Sequence, residues 1–238
     1  MSFFKKLIER FTRTNTLYYP GCLTKFGLPD INKNYEDILK ENGIDFIKSD
    51  DENCCGSPVL NAGYEDDFRT LVMRNNENFR KRGVKKIITN CPACFNMLKN
   101  IYPKYIDNWD FEIEHITQTI AKKLDKIRAK SEGTVFYHDP CHLGRHAGIY
   151  EEPRRIIEKI GYNIEENEDI KEKSICCGGG GGLRNNNIKL SKIIARKCMD
   201  CVKSKDVITT CPLCYSQLKE FTEKNVKELS QCMKNLKE

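Results

Sequence analysis

Apolar and polar positions follow two periods along this chain, one near two residues and one near three to four. Short apolar runs predict strands at Thr16–Tyr19, Ile44–Lys48, Lys86–Thr89, Thr134–His138, Tyr162–Glu165 and Val207–Thr209. Longer amphipathic stretches between them predict helices near Asn32–Glu41, Asp66–Arg82, Glu152–Ile160 and Ile188–Ser204. Gly43 and Gly161 end two of these as helix-terminating glycines. An amphipathic helix is expected near His115–Leu124 and a polar one near Glu220–Leu236. Strands alternating with helices imply parallel sheets with right-handed crossovers, whose ligands collect beyond the carboxyl ends of the strands.

The same order of elements recurs with a period of about 120 residues, too long for a solenoid repeat. The expected architecture is α/β, with two duplicated Rossmann-like domains. Each carries a short parallel sheet, the pair are related by a pseudo-two-fold, and helices flank them at both ends. The expected divisions are 1–15 for an N-terminal amphipathic helix, 16–128 and 129–238, with a linker near Asp125–Gly133. In the first segment Phe3, Phe4, Leu7, Ile8 and Phe11 share one helical face. That face either packs on the domain or docks peripherally on a partner subunit or a membrane surface.

Composition narrows the function. Among 238 residues, 40 basic and 34 acidic side chains are interspersed, so the net charge of +6 reads as an ordinary surface, with no nucleic-acid motif. No apolar run approaches the ~20 residues of an integral membrane segment, and no secretory leader is apparent. A cytoplasmic location is expected. In that reducing compartment, cysteine clusters are metal or redox sites more often than disulfides.

Ten of the thirteen cysteines form one pattern twice. Cys22, Cys54-Cys55-Gly56 and Cys91-Pro92-Ala93-Cys94 make the first copy, with gaps of 31 and 35 residues. Cys141, Cys176-Cys177-Gly178 and Cys211-Pro212-Leu213-Cys214 make the second, with gaps of 34 and 33. Each group follows a predicted strand, so the five sulfurs of a half share one sheet edge. Four thiolates suffice for zinc or a cubane cluster, and a fifth is one too many for either. Adjacent cysteines suit a larger cluster, where neighbouring sulfurs reach different irons. Helix N-termini at Pro92 and Pro212 offer N–H groups to thiolate and sulfide. Gly56, Gly178, Gly179 and Gly180 let the backbone approach a cofactor. The five-glycine run is not a phosphate loop, because Leu183-Arg184 stands where Lys-Ser/Thr is required.

Three of the four histidines fall at His138-Asp139-Pro140-Cys141-His142-Leu143-Gly144-Arg145-His146. His142 and His146 are candidates for a proton donor or substrate contact; the bland alternative is that they cap and pack the turn. Arg145, and Lys25 at a similar offset after Cys22, are candidates to neutralise cluster charge or bind a carboxylate. Cys198 and Cys201 read as helix cysteines outside a third site, Cys232 as having no role, and Trp109 as core packing.

The repeated Cys-x31-Cys-Cys-Gly and Cys-Pro-x-Cys wording, with Tyr19-Pro20-Gly21-Cys22 and Cys-Cys-Gly-Gly-Gly-Gly, resembles the CCG or cysteine-rich domain family. That family includes the catalytic B and D subunits of heterodisulfide reductase. It also includes iron–sulfur subunits of glycolate, lactate and glycerol-3-phosphate dehydrogenases. The resemblance implies two noncubane [4Fe–4S] clusters. Cys22, Cys54, Cys55, Cys91 and Cys94 would hold one; Cys141, Cys176, Cys177, Cys211 and Cys214 the other. It further implies reductive cleavage of a small disulfide between them. The chain shows neither the ferredoxin-like cubane motif nor a dinucleotide fingerprint. A ferredoxin-like iron–sulfur or flavoprotein electron donor is therefore expected as partner. The alternatives are an electron-transfer subunit of an FAD-linked dehydrogenase acting on an organic acid, and a zinc-stabilised scaffold without catalysis.

Overall fold

The computed structural model describes residues 15–48, 54–126 and 132–234. The expected N-terminal helix lies outside them, apart from Asn15, as does most of the expected linker. Strands β1 (Asn15–Tyr18), β2 (Val84–Thr89) and β3 (Glu112–His115) form one parallel sheet in the order β1-β2-β3. Strands β4 (Thr134–His138), β5 (Asn163–Glu165), β6 (Asp206–Thr209) and β7 (Asn225–Glu228) form a second parallel sheet, β5-β4-β6-β7. Ile47 bridges to Leu17 on the free edge of β1, where β5 stands beside β4. The expected strand Ile44–Lys48 is thus reduced to a single bridge.

The helices obey simple end rules. In α1 (Pro29–Glu41), proline opens the first turn, Asp30 sits at the positive end and Lys40 at the negative end. Its buried residues Ile31, Asn34, Tyr35, Ile38 and Leu39 keep the three-to-four spacing. After the short α2 (Ser57–Asn61), α3 (Glu65–Lys81) has three acids in its first turn and Arg80 and Lys81 in its last. It buries Phe68, Val72, Asn75 and Phe79. The remaining helices are α4 (Pro92–Asn96), α5 (Ile116–Ala121), α6 (Glu151–Lys159), α7 (Leu183–Asn186), α8 (Ile188–Lys197), α9 (Pro212–Phe221) and α10 (Leu229–Lys234).

Two expectations fail at the C-terminal side. The polar helix expected over Glu220–Leu236 is broken: α9 stops at Phe221, and Asn225–Glu228 pairs in parallel with β6. Val226 and Glu228 are buried in alternation, so completing the open edge of β6 outweighs the local helical preference of this polar stretch. The helix expected to reach Ser204 ends at Lys197, and Cys198–Asp200 follow as turns.

The period-two alternation divides the interior. Leu17, Tyr19 and Ile87 face one apolar cluster with Phe68, Phe79 and Leu98. Tyr18 and Ile88 face another, which also holds Val135, Tyr137, Ile208 and Val226 of the second sheet. Between the sheets α1 packs on α10, and α5 packs on α6. Each contact pairs the helix after the first strand of one sheet with the helix after the last strand of the other. The core is continuous across the two sheets. No helix among the described residues is long and apolar enough to cross a membrane.

Candidate metal centre

Loops at the carboxyl ends of strands carry Cys22, Cys91, Cys141 and Cys211. Cys22 follows β1 by four residues, and Cys141 follows β4 by three. Cys91 and Cys211 are the N-cap residues of α4 and α9, with Pro92 and Pro212 in the first turn behind them. Side-chain contacts link Cys22 to Cys54, Cys54 to Cys55, Cys55 to Cys94 and Cys94 to Cys91. In the second half Cys141 Sγ is 3.9 Å from Cys176 Sγ, and Cys177 Sγ is 3.2 Å from Cys214 Sγ. Cys176 touches Cys177, and Cys211 touches Cys214, which completes that chain. All ten sulfur-bearing residues line one cavity of about 240 Å³, walled otherwise by groups such as Pro20, Leu23, Pro58, Pro140 and Leu213. All thirteen cysteines are free thiols.

Backbone groups serve the two halves alike. The Gly56 amide donates to Cys54 Sγ and the Gly178 amide to Cys176 Sγ, each at 3.4 Å. Gly56 has φ +80°, and a Cβ there would lie 2.6 Å from the Phe68 ring, so this glycine serves packing on α3. Gly178 and Gly179 pack against Ile194 and Gln217, and Gly180 lies on the cavity wall. Gly21 lies against a sulfur: with φ +77°, a Cβ on it would meet Cys94 Sγ at 2.8 Å. The sequence pattern did not single out that residue as a site; its signal was the Pro-Gly step directly before Cys22.

Crowding sets the charge of the thiols. Hydrogen bonds from Cys54 and Cys94 pull Cys55 down to about 5, and contact with Cys141 and Cys177 pulls Cys176 down as well. Their neighbours are pushed up: Cys94 by Cys55, Cys141 and Cys177 by Cys176, and Cys214 by Cys177. One thiolate therefore suppresses the next, and five in one nest ionise together only around a cationic centre. Soft sulfur donors, a backbone cradle and apolar walls fit an iron–sulfur group.

Polar networks hold the nests in shape. Tyr18 donates to Asn90 Oδ1 at 3.1 Å, and Asn90 donates to Thr24 Oγ1 at 3.1 Å, tying the Cys22 turn to the residue before Cys91. Tyr137 and Thr210 hydroxyls meet at 3.0 Å just before Cys211. Beside Cys141, Asp139 accepts from both guanidinium ends of Arg154, at 2.8 and 2.6 Å, and from the Lys171 amide at 2.9 Å. Sequence reasoning missed this buried pair, although Asp139 stands inside the histidine-rich motif.

The candidate residues divide. His142 lines the cavity with Nδ1 3.5 Å from Cys141 Sγ. Its ring lies 4.6 Å from that of exposed His146, which does not line the cavity. Burial, then His146, lowers the basicity of His142. Arg145 donates to Ser174 O at 2.5 Å, so it anchors the loop before Cys176, outside the cavity lining. Lys25 lies in the wide turn Leu23–Gly27, its ammonium 5.7 Å from the Phe26 ring centre, also outside the lining. Cys198 and Cys232 are buried and Cys201 is exposed; none of the three lines the cavity. Trp109 packs edge-on against Tyr102 and Phe111, as expected.

Known proteins match this arrangement. Residues 16–99 and 135–219 each match the CCG family, described as a cysteine-rich domain. The chain is 33% identical over 212 residues to the B component of the CoM/CoB fumarate reductase of Methanothermobacter marburgensis, covering 87% of this chain and 42% of the relative. It is 32% identical over 219 residues to the D component of the dihydromethanophenazine:CoB–CoM heterodisulfide reductase of Methanosarcina acetivorans, covering 87% and 54%. It is 35% identical over 167 residues to the EtfAB:quinone oxidoreductase of Syntrophomonas wolfei, covering 67% and 23%. The chain thus spans about half the length of these relatives, or less.

Proposed function

The chain belongs to the CCG family of cysteine-rich domains, and we propose that it is an iron–sulfur oxidoreductase subunit that reductively splits a small disulfide between two noncubane [4Fe–4S] clusters. Cys22, Cys54, Cys55, Cys91 and Cys94 hold one cluster in this reading; Cys141, Cys176, Cys177, Cys211 and Cys214 hold the other. The observation that carries it is that all ten thiols line a single cavity. When bound, the clusters supply the two electrons that breaking a sulfur–sulfur bond requires. The protein's own groups do the rest. The apolar walls admit an uncharged disulfide and exclude water, which strengthens each electrostatic contact inside. Each product thiolate takes one proton. His142, at the rim beside Cys141, is placed to deliver it, and His146 at the surface to replace it. The Gly56 and Gly178 amides disperse negative charge on Cys54 and Cys176.

In this reading the divisions are 16–128 and 129–238, in a reducing cytoplasm where no cysteine is drawn into a disulfide. A ferredoxin-like or flavoprotein partner feeds the electrons. The test is anaerobic iron and sulfide analysis, then EPR during titration with candidate disulfides. A paramagnetic signal that appears only with a disulfide is the expected result. Clusters that take electrons from a flavoprotein but ignore every disulfide favour the second reading, an electron-transfer subunit of an FAD-linked dehydrogenase. The observation behind that reading is the likeness to an EtfAB:quinone oxidoreductase. Zinc without acid-labile sulfide defeats both.

A further inference from the structure

Two buried side chains hold the Cys54-Cys55-Gly56 turn from outside the thiol cavity. Asn75 on α3 is 1% exposed, and Tyr102, eight residues past Cys94, is fully buried. Neither lines the cavity. The Tyr102 ring packs edge-on against Phe68 and Trp109, with ring centres 6.0 and 4.9 Å away, which fixes the direction of its hydroxyl. Asn75 Nδ2 donates to Cys54 O at 3.1 Å and to Tyr102 Oη at 2.8 Å. Tyr102 Oη in turn donates to Cys55 O at 3.3 Å. The proton count closes: the amide has two hydrogens for two acceptors, and the phenol has one for one. A carbonyl only accepts, so the NH2 of Asn75, not its oxygen, faces Cys54 O.

We infer that Tyr102 and Asn75 are positioning residues that hold the Cys55–Gly56 peptide with its N–H on Cys54 Sγ, and so raise the reduction potential of the cluster in the first nest. The inference rests on the cluster-binding reading above. A trans peptide is planar, so its C=O and N–H point opposite ways. Every peptide bond among the described residues is trans. Cys55 O and the Gly56 N–H belong to one such plane. Drawing the oxygen toward Tyr102 turns the hydrogen toward the sulfurs, where Gly56 N donates to Cys54 Sγ at 3.4 Å. Asn75 fixes the preceding peptide in the same way, through Cys54 O. An N–H donated to a thiolate favours the more negative, reduced state of a cluster. The second turn is held differently. Gln217 Nε2 donates to Ser191 Oγ at 2.7 Å, and Ser191 Oγ donates to Gly178 O at 2.8 Å. That oxygen belongs to the peptide after the one that carries the Gly178 N–H. Loss of the Tyr102 hydroxyl therefore touches the first nest alone.

Two measurements decide it. Amide hydrogen exchange of the full chain loaded with zinc alone is read from ¹H–¹⁵N spectra of wild type and Tyr102→Phe. The Gly56 amide is expected to exchange about tenfold faster in the variant, with the Gly178 amide unchanged. No change at Gly56, or equal acceleration of both amides, overturns the inference. EPR-monitored redox titration of the iron-loaded chain follows. Tyr102→Phe is expected to disfavour reduction of one cluster about threefold, or ~28 mV for a one-electron couple, and to leave the other unchanged. Asn75→Leu, which removes both amide donors, is expected to move the same midpoint in the same direction. Unchanged midpoints in both variants at wild-type iron content overturn the inference, and so does an equal shift of the two clusters. Wild-type protein that takes up no sulfide defeats the proposed function, while exchange in the zinc-loaded chain still decides whether Tyr102 aims the Gly56 amide.

Discussion

Tyr35 on α1 donates its phenolic hydrogen to Glu228 on β7 across 2.5 Å, joining the two sheets through a fully buried hydrogen bond. The second carboxylate oxygen accepts from the Ser230 amide at 2.8 Å. Desolvation raises Glu228 from the ordinary 4.5 to about 7, despite these donors.

Stability is therefore expected to fall through this group as pH rises. The folded chain holds a proton that the unfolded chain releases above about pH 4.5. Its contribution is full below that pH and is lost as pH approaches 7, on the order of 3 kcal/mol. Glu228→Gln keeps an acceptor for Tyr35 and removes the titration. Denaturant melts at pH 5 and pH 8 are expected to show the variant gaining on wild type at the higher pH. An identical pH slope for both proteins counts against this.

Arg154→Met strands Asp139 in a buried site, where both members of the pair are at most 5% exposed. The expected loss is about 3–5 kcal/mol in urea unfolding, partly recovered when Asp139→Asn is added. A loss below ~1 kcal/mol would mean that the pair is solvated in solution.

Gly21→Ala puts a methyl 2.8 Å from Cys94 Sγ, in a backbone region that disfavours side chains. It is expected to empty the first nest and spare the second. Iron and sulfide per chain should fall by about half, with one of two EPR signals kept. Full occupancy would show that the loop shifts without harm.

Thiol labelling of metal-free protein should follow exposure. Cys22 and Cys201 are exposed and should react first; Cys55, Cys94, Cys177 and Cys214 are buried and should react last. Metal loading should protect Cys22 and leave Cys201 reactive, as read by mass spectrometry of the labelled peptides. Cys201→Ser should not change iron content.

Much of this was legible because it is local. The cysteine spacing marked the ten residues that line one cavity, and Pro92 and Pro212 marked helix starts. Glu112–His115 escaped notice as a strand although Phe111, Ile113 and His115 alternate, because four residues next to a helix give little period to read. Asn225–Glu228 looks helical by composition and becomes a strand only because β6 offers it an edge. The roles of Arg145 and Asp139 were out of reach for the same reason: their partners, Ser174 and Arg154, lie 29 and 15 positions away and meet them only through the fold.

The 3.2 Å contact between Cys177 and Cys214 also gives the chain a history. Without metal, those sulfurs are near enough for an oxidant to join them after the slightest adjustment, and each thiol beside them can then attack the new bond and pass it on. The five thiols of each nest form one chain of contacts along which such exchange can pass. Protein that has met air before iron should therefore be a population of differently cross-linked molecules, each shut in its own way, and a reductant should reopen them all to one ground state.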